Sequence, residues 1–188
     1  LEDAYEVTPP PLARTIRELL LLGQIIQNQA TSVFLFTMPD RLGLSSMFVQ
    51  EEEPDPDQDR AVLATKALRV RKAGTDLISL AGGQFIHPVK AVIGGVTSGV
   101  DGADAAVLRE QLIETLPVAC ELFDYYWDQS VALRGRIGTW GDDAPAYYLT
   151  AIDDHRPNYD GMDSAPLIRV LDPDGACCET FPVQAFRD

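Results

Sequence analysis

The side chains that most often carry chemistry are scarce in this chain. Of its 188 residues, three are cysteine and two are histidine. Cys120 falls in a helical stretch, and Cys177 and Cys178 are adjacent. There is no C-x-x-C pair, and three is an odd number, so the pattern excludes a disulfide framework and points to a reducing, cytoplasmic setting. Adjacent cysteines in a strand point to opposite faces and make a poor metal chelate, so all three read as structural. Positive charge is also short. Fifteen Lys and Arg stand against 29 Asp and Glu, a net charge of −14, and such a surface repels phosphate backbones, so no nucleic acid partner is expected. No run of eighteen apolar residues occurs, so no membrane span is expected. A charged-then-apolar leader is missing as well. The chain opens on Leu1 rather than Met, as a trimmed, processed or excerpted chain would. Neither G-x-x-x-x-G-K-[ST] nor G-x-G-x-x-G is present, which leaves phosphate cradling without a motif.

What the chain has in abundance is helical pattern. Residues 12–40 read as one long helix, entered through Pro9, Pro10 and Pro11 and closed at Pro39, since proline suits a helix start and disfavours helix in the residue before it. Between Leu19 and Ile26 the apolar residues run nearly all round, the mark of a helix buried on most sides. One face departs from this. Gln24, Asn28, Thr31 and Ser32 lie at spacings that share a side, and a buried polar stripe needs hydrogen bonds. It is either a seam bonded to a neighbouring helix or the wall of a polar pocket.

The chain continues with a loop over 41–58, whose acidic run Glu51–Asp57 lacks the ligand spacing and glycine of a calcium loop and reads as solvated surface. A second helix spans 59–80, with Leu63, Ala67, Val70, Gly74 and Leu77 on one face and Lys66, Arg69, Arg71 and Lys72 exposed, either as salt-bridging surface or as a docking patch. Gly82-Gly83 ends it. Residues 84–100 are glycine-rich and apolar, a buried crossing segment in which Gly94 and Gly95 permit close backbone approach. His87 lies here, and a lone histidine in an apolar loop is more often a satisfied structural residue than a ligand. Asp101 and Asp104 open a third helix that reaches about Val131, with Leu108, Leu112, Leu116, Ala119, Phe123 and Tyr126 as its buried side and a kink at Pro117. Residues 146–152, 167–171 and 176–181 read as strands, and Asp172-Pro173-Asp174-Gly175 as a β-turn. The fold class is therefore α+β, mainly α: long packed helices with a small antiparallel sheet near the C-terminus. It is expected as a single domain over 1–188, with a helical core at 1–135 and a small β lobe at 136–188.

These pieces, in this order, resemble a known family. ARTIRELLLLGQIIQNQ followed by FLFTMPD is similar to the first long helix of the large subunit of nickel–iron hydrogenases. RVRKAGTDLISLAGGQFIHPVKAVIGGVTSGV resembles that family's stretch with a Gly-Gly, a His-Pro and a second Gly-Gly. Tyr159-Asp160-Gly161 and Val170-Leu171-Asp172-Pro173-Asp174-Gly175 resemble its small sheet lobe. The likeness runs from Val7 to Phe186, and its histidine-poor style is that of the cytoplasmic branch linked to NAD(P) or deazaflavin carriers.

The resemblance implies a parent enzyme that oxidises or produces dihydrogen at a nickel–iron centre held by four cysteines in two C-x-x-C pairs. Those pairs would lie outside Leu1–Asp188, so this central fragment is expected to hold no metal and no cofactor, and to be inactive alone. Its partners would be an electron-acceptor module and the iron–sulfur small subunit. Asn28 matches a position where some branches carry an aspartate over the metal site, and Gln29 and Ser32 match two histidine positions, which makes the three candidates for a pocket wall. An asparagine cannot relay a proton as a carboxylate can. His87 would face the small subunit with its nearest cluster. The alternative is a metal-free hydrogenase-like scaffold or assembly subunit. Cut from its surroundings, the fragment would expose apolar surface and self-associate.

Overall fold

A computed structural model describes residues 2–44, 46–48, 59–137, 146–152, 167–182 and 185. The acidic run Glu51–Asp57 and the Tyr159-Asp160-Gly161 motif lie outside them.

The first long helix forms where expected and then runs past its expected end. A short 3-10 turn, Asp3–Tyr5, leads into α1, Pro11–Ala30, with proline in its first turn. The helix then widens into a π-helical segment, Thr31–Thr37, and resumes as α2, Met38–Leu42. Pro39 does not close it, contrary to the expectation from sequence. A proline has no N–H to give and crowds the carbonyl four residues back. Here the preceding turns have already shifted to the wider bonding pattern, with the Met38 N–H on Val33 O, five residues back. Gly43, at φ 70°, makes the actual stop, and the Leu44 N–H bonds Pro39 O at 2.8 Å.

Helix α3, Asp59–Gly82, packs antiparallel on α1: Leu20 lies beside Gly82, Gly23 beside Gly74, and Ala30 beside Ala67. The close approach is made by glycine. A Cβ on Gly74 would stand 2.6 Å from the Gln27 N and 2.8 Å from Gly23 O. The predicted α3 face is the observed one, with Ala67, Val70, Gly74 and Leu77 buried. Helix α1 is less buried than its composition suggests. Only Ala13, Ile16, Gly23 and Ala30 are buried, because α3 covers one side and most of the Leu19–Ile26 girdle is only half-buried. Among the described residues, Pro11–Leu42 is the one helix with the length and mean hydropathy, 1.3, of a membrane span. Four amides, Gln24, Gln27, Asn28 and Gln29, interrupt it midway, and polar groups at that depth are costly.

Gly83, at φ 87°, caps α3. Beyond it lies a tight hairpin of β1, Ala91–Val92, and β2, Gly95–Val96, turned at Ile93-Gly94. This glycine-rich stretch, expected as a buried crossing segment, is mostly exposed. Arg17 of α1 pins it, donating to Val92 O and Gly95 O while pairing with Glu2 at 2.6 Å. Glu2 also accepts the Gly94 N–H at 3.3 Å. The Arg17 hydrogen bond is the largest cause holding the Glu2 carboxyl below its ordinary 4.5. A depressed carboxyl stabilises the fold above its unfolded pKa, and that contribution is lost as pH falls through the lower folded value. Acid unfolding followed below pH 4.5 should therefore lose a component in Glu2→Gln. An unchanged pH profile would show that the latch contributes nothing.

Helix α4, Gly102–Ile137, is capped as predicted, the Asp101 carboxylate accepting the Ala103 and Asp104 N–H groups, and it continues through Pro117. Its buried edge is Leu108, Thr115 and Leu122. Leu116 and Phe123, expected inside, are outside, at 63% and 59% exposure. Leu122 completes a core with Ala30, Ala67 and Val70, and a second core forms around Met38, Met47 and Ala64. Arg41 ties α2 to α4, donating to Ser130 Oγ at 2.8 Å and Tyr126 OH at 3.0 Å, 4.6 Å from the centre of the Tyr126 ring.

The chain divides into two compact units, Leu1–Arg134 and Gly135–Asp188. The second holds a three-stranded antiparallel sheet in the order β3, Tyr148–Ile152, β4, Leu167–Leu171, and β5, Cys177–Pro182. All three strands were legible in the sequence, as was the β4–β5 turn, where Gly175 takes φ 84° and its N–H bonds Asp172 O at 3.0 Å. A register shift at Val170/Leu171 accommodates an extra residue.

Candidate functional site

Among the described residues, the polar stripe makes no seam with another helix. Its bonds stay on its own helix: Thr31 Oγ1 donates to Gln27 O at 2.7 Å, Gln27 Nε2 to Thr31 Oγ1 at 3.2 Å, and Ser32 Oγ to Asn28 Oδ1 at 3.4 Å. Bonds of this i,i+4 kind leave the outward atoms of Gln24, Asn28 and Gln29 available, and all three residues are exposed.

Those three amides line an open cleft of about 550 Å³ between α1 and the loop after α3. His87, Phe85 and Pro88 supply the opposite wall, with Ile78 from α3. Asn28, Gln29 and His87, singled out separately in the sequence, thus meet in one cleft. Ser32 does not line it. Gln27 does, and it was not among the residues picked out from sequence, although its spacing of three from Gln24 carries the signal. No carboxylate, lysine or arginine is among the lining residues, and His87 is the one titratable side chain there.

The histidine wall is held in an uncommon conformation. His87 has φ 54°, a region few non-glycine residues occupy. Three clamps impose it. Gln84 Nε2 donates to His87 O at 2.7 Å. The N–H groups of Val89 and Lys90 bond Gly82 O at 2.9 and 3.1 Å. Lys90 Nζ bridges Leu80 O and Gly99 O, each at 3.1 Å. The loop is therefore fastened to the C-terminal carbonyls of α3, where a cation and spare N–H groups are most favourable.

A second cleft, of about 680 Å³, opens on the other side of α1. Its lining is almost wholly apolar, including Ile25, Val33, Phe34, Leu116 and Phe123, and Gln29 sits between the two clefts. Three of the four basic residues singled out on α3 are engaged in ion pairs. Lys66 pairs with Glu121, Arg69 with Glu114 at 3.7 Å and Lys72 with Asp76, so among the described residues the salt-bridging reading describes these three and not Arg71.

The donor set does not fit a nickel–iron centre. Such a centre needs soft thiolates at chelating spacing. Cys120 is exposed on α4, and Cys177 and Cys178 are exposed on β5. No group of three His, Cys, Asp or Glu gathers among the described residues.

No protein-family model matches the chain. It is 27% identical to the vhu A chain of the F420-non-reducing hydrogenase of Methanocaldococcus jannaschii, over 93% of this chain and 41% of that protein. It is 23% identical to the NAD-reducing hydrogenase HoxS subunit beta of Cupriavidus necator, over the whole of this chain and 39% of that one. Its fold matches an NAD+-reducing nickel–iron hydrogenase crystallised in the H2-reduced state, with a TM-score of 0.72 at 21% identity, over 92% of this chain and 38% of that one. The chain thus spans about two-fifths of the length of the relatives it matches. Its homologues are hydrogenase large, or alpha, subunits, and it corresponds to a stretch of such a subunit rather than to its full length.

Proposed function

We propose that this chain is a structural segment of a nickel–iron hydrogenase large subunit, which in its intact form oxidises or produces dihydrogen, and that it forms part of the pocket wall without ligating the metal. The observation that carries this reading is the meeting of Asn28, Gln29 and His87 in one cleft lined by no carboxylate, lysine or arginine, within a fold aligned to a hydrogenase over 92% of the chain. The amides of α1 position and hydrogen-bond; they do not exchange protons at neutral pH. Any proton transfer on this wall falls to His87, whose imidazole is the one ionisable side chain among the lining residues. The nickel–iron centre belongs to the parent, held by cysteines outside these residues. An iron–sulfur small subunit on the His87 side and an electron-acceptor module are the partners, and the cytoplasm is the compartment.

The test begins with the reading frame that encodes the chain, which should carry C-x-x-C pairs on both sides. The intact subunit, purified with its partners, should contain stoichiometric nickel and reduce a viologen dye under hydrogen, while residues 1–188 alone bind no nickel. A reading frame without flanking pairs would replace this reading with a metal-free scaffold. Stoichiometric nickel on the 188-residue chain would overturn the statement about ligands.

A further inference from the structure

We propose that the outer face of α4 is the seat of an amphipathic helix from the part of the same subunit outside these 188 residues, apolar on one side and basic along one flank. The inference rests on the reading of the chain as a segment of a larger subunit. Helix α4 has two apolar edges. One, through Leu108, Thr115 and Leu122, is buried, with Leu122 against Ala30 of α1 and Ala67 and Val70 of α3. The other runs through Ile113, Leu116, Cys120, Phe123 and Trp127, at alternating steps of three and four. That is the a/d spacing of a helix meeting a second helix. Every member is solvent-exposed, Ile113 at 49% and Trp127 at 59%, and Phe123 and Trp127 are stacked with centroids 6.3 Å apart. Three of them, Ile113, Leu116 and Phe123, also form one rim of the 680 Å³ apolar cleft that separates α4 from α1. Stripe and cleft together make a groove of the kind that takes an amphipathic helix.

Two observations choose the occupant. The chain accounts for 41% of the M. jannaschii relative, so more than half of such a subunit is on hand to cover the groove. Charge gives its chemistry. Asp124 and Asp128 border the stripe, exposed and without an ion-pair partner among the described residues, whereas Glu114 and Glu121, farther round the helix, are paired with α3. A lysine- or arginine-bearing flank answers this row. A second copy of the chain, with its charge of −14, brings like charge instead.

The experiment uses the intact subunit, with maleimide labelling of Cys120 read by site-resolved mass spectrometry. Native Cys120 should label at least roughly a hundredfold slower than in the denatured subunit, as for other groups covered by stable packing. The Phe123→Asp variant should restore much of that rate. Asp124→Lys with Asp128→Lys, at exposed positions that the core does not need, should do so without loss of folded protein. Native and denatured rates that agree overturn the proposal while leaving the hydrogenase reading intact. Protection that disappears on dilution assigns the face to a second copy and overturns it too. A reading frame that ends with this chain removes the reading on which the proposal rests, and the proposal with it.

Discussion

Gly74→Val is expected to part α1 from α3. The added Cβ would stand 2.6 Å from the backbone N of Gln27 and 2.8 Å from Gly23 O. These are main-chain atoms within a helix, and no side-chain rotation relieves them. The helices must separate, and Ala30, Ala67 and Val70 then lose contact with Leu122. Overpacking of this severity costs about 3 kcal/mol or more, which for a protein of this size lowers Tm by roughly 6–12 °C. Gly23→Ala should be milder, since its nearest contacts lie at 3.0–3.1 Å and one is the movable Ile78 side chain. Differential scanning calorimetry of both variants is decisive. A Gly74→Val protein that melts with the wild type would show that the helices do not touch there.

Leu122→Ala should loosen α4 more than any other truncation along it. Leu122 is 1% exposed and sits against Ala30, Ala67 and Val70. Removing its branch leaves a cavity that these small neighbours cannot fill, a loss of about 3 kcal/mol. The remaining ties of α4 to α3 are weak by comparison. The Lys66–Glu121 and Arg69–Glu114 pairs are partly or largely exposed, worth about 0–1 kcal/mol each. Leu116→Ala is the matched control within the 188-residue chain: at 63% exposure it should change stability there by about 0.5 kcal/mol or less. Urea unfolding of the 188-residue chain measures both, and equal losses would mean that Leu116 is packed within this chain itself.

That pair of residues also marks how far the sequence could be read. Spacing made α4 a helix and Asp101 its cap, both observed. It could not say which of two apolar edges faces inward, because Leu108–Thr115–Leu122 and Leu116–Phe123 carry equally helical periods. Only the position of α3 decides. The same holds for α1, whose apolar girdle signals burial yet is covered chiefly on the one side that faces α3. Local chemistry was read well wherever it is self-contained: the Asp172–Gly175 turn, the three strands of the second unit, and glycine after α3. The Ile93-Gly94 hairpin was missed because its strands are two residues long, too short for an alternation to show. In the candidate site, the stripe on α1 was visible as a spacing and His87 as a rarity. Their meeting was not visible, since it depends on a loop clamped to α3 by bonds that no local pattern announces.

The π-helical segment Thr31–Thr37 acts as a phase shifter. Each residue there turns through a smaller angle than in an α-helix, because its bonds reach five residues back rather than four. Side chains beyond it are rotated relative to where an uninterrupted helix would place them. The upstream half can thus keep its glycine turned to α3, while the downstream half aims Arg41 at Tyr126 and Ser130 of α4. One rod presents two independently set dials. Residues before Thr31 and after Thr37 are therefore free to change their facing partners separately, and a substitution pattern drawn on a single helical wheel will misplace one half or the other.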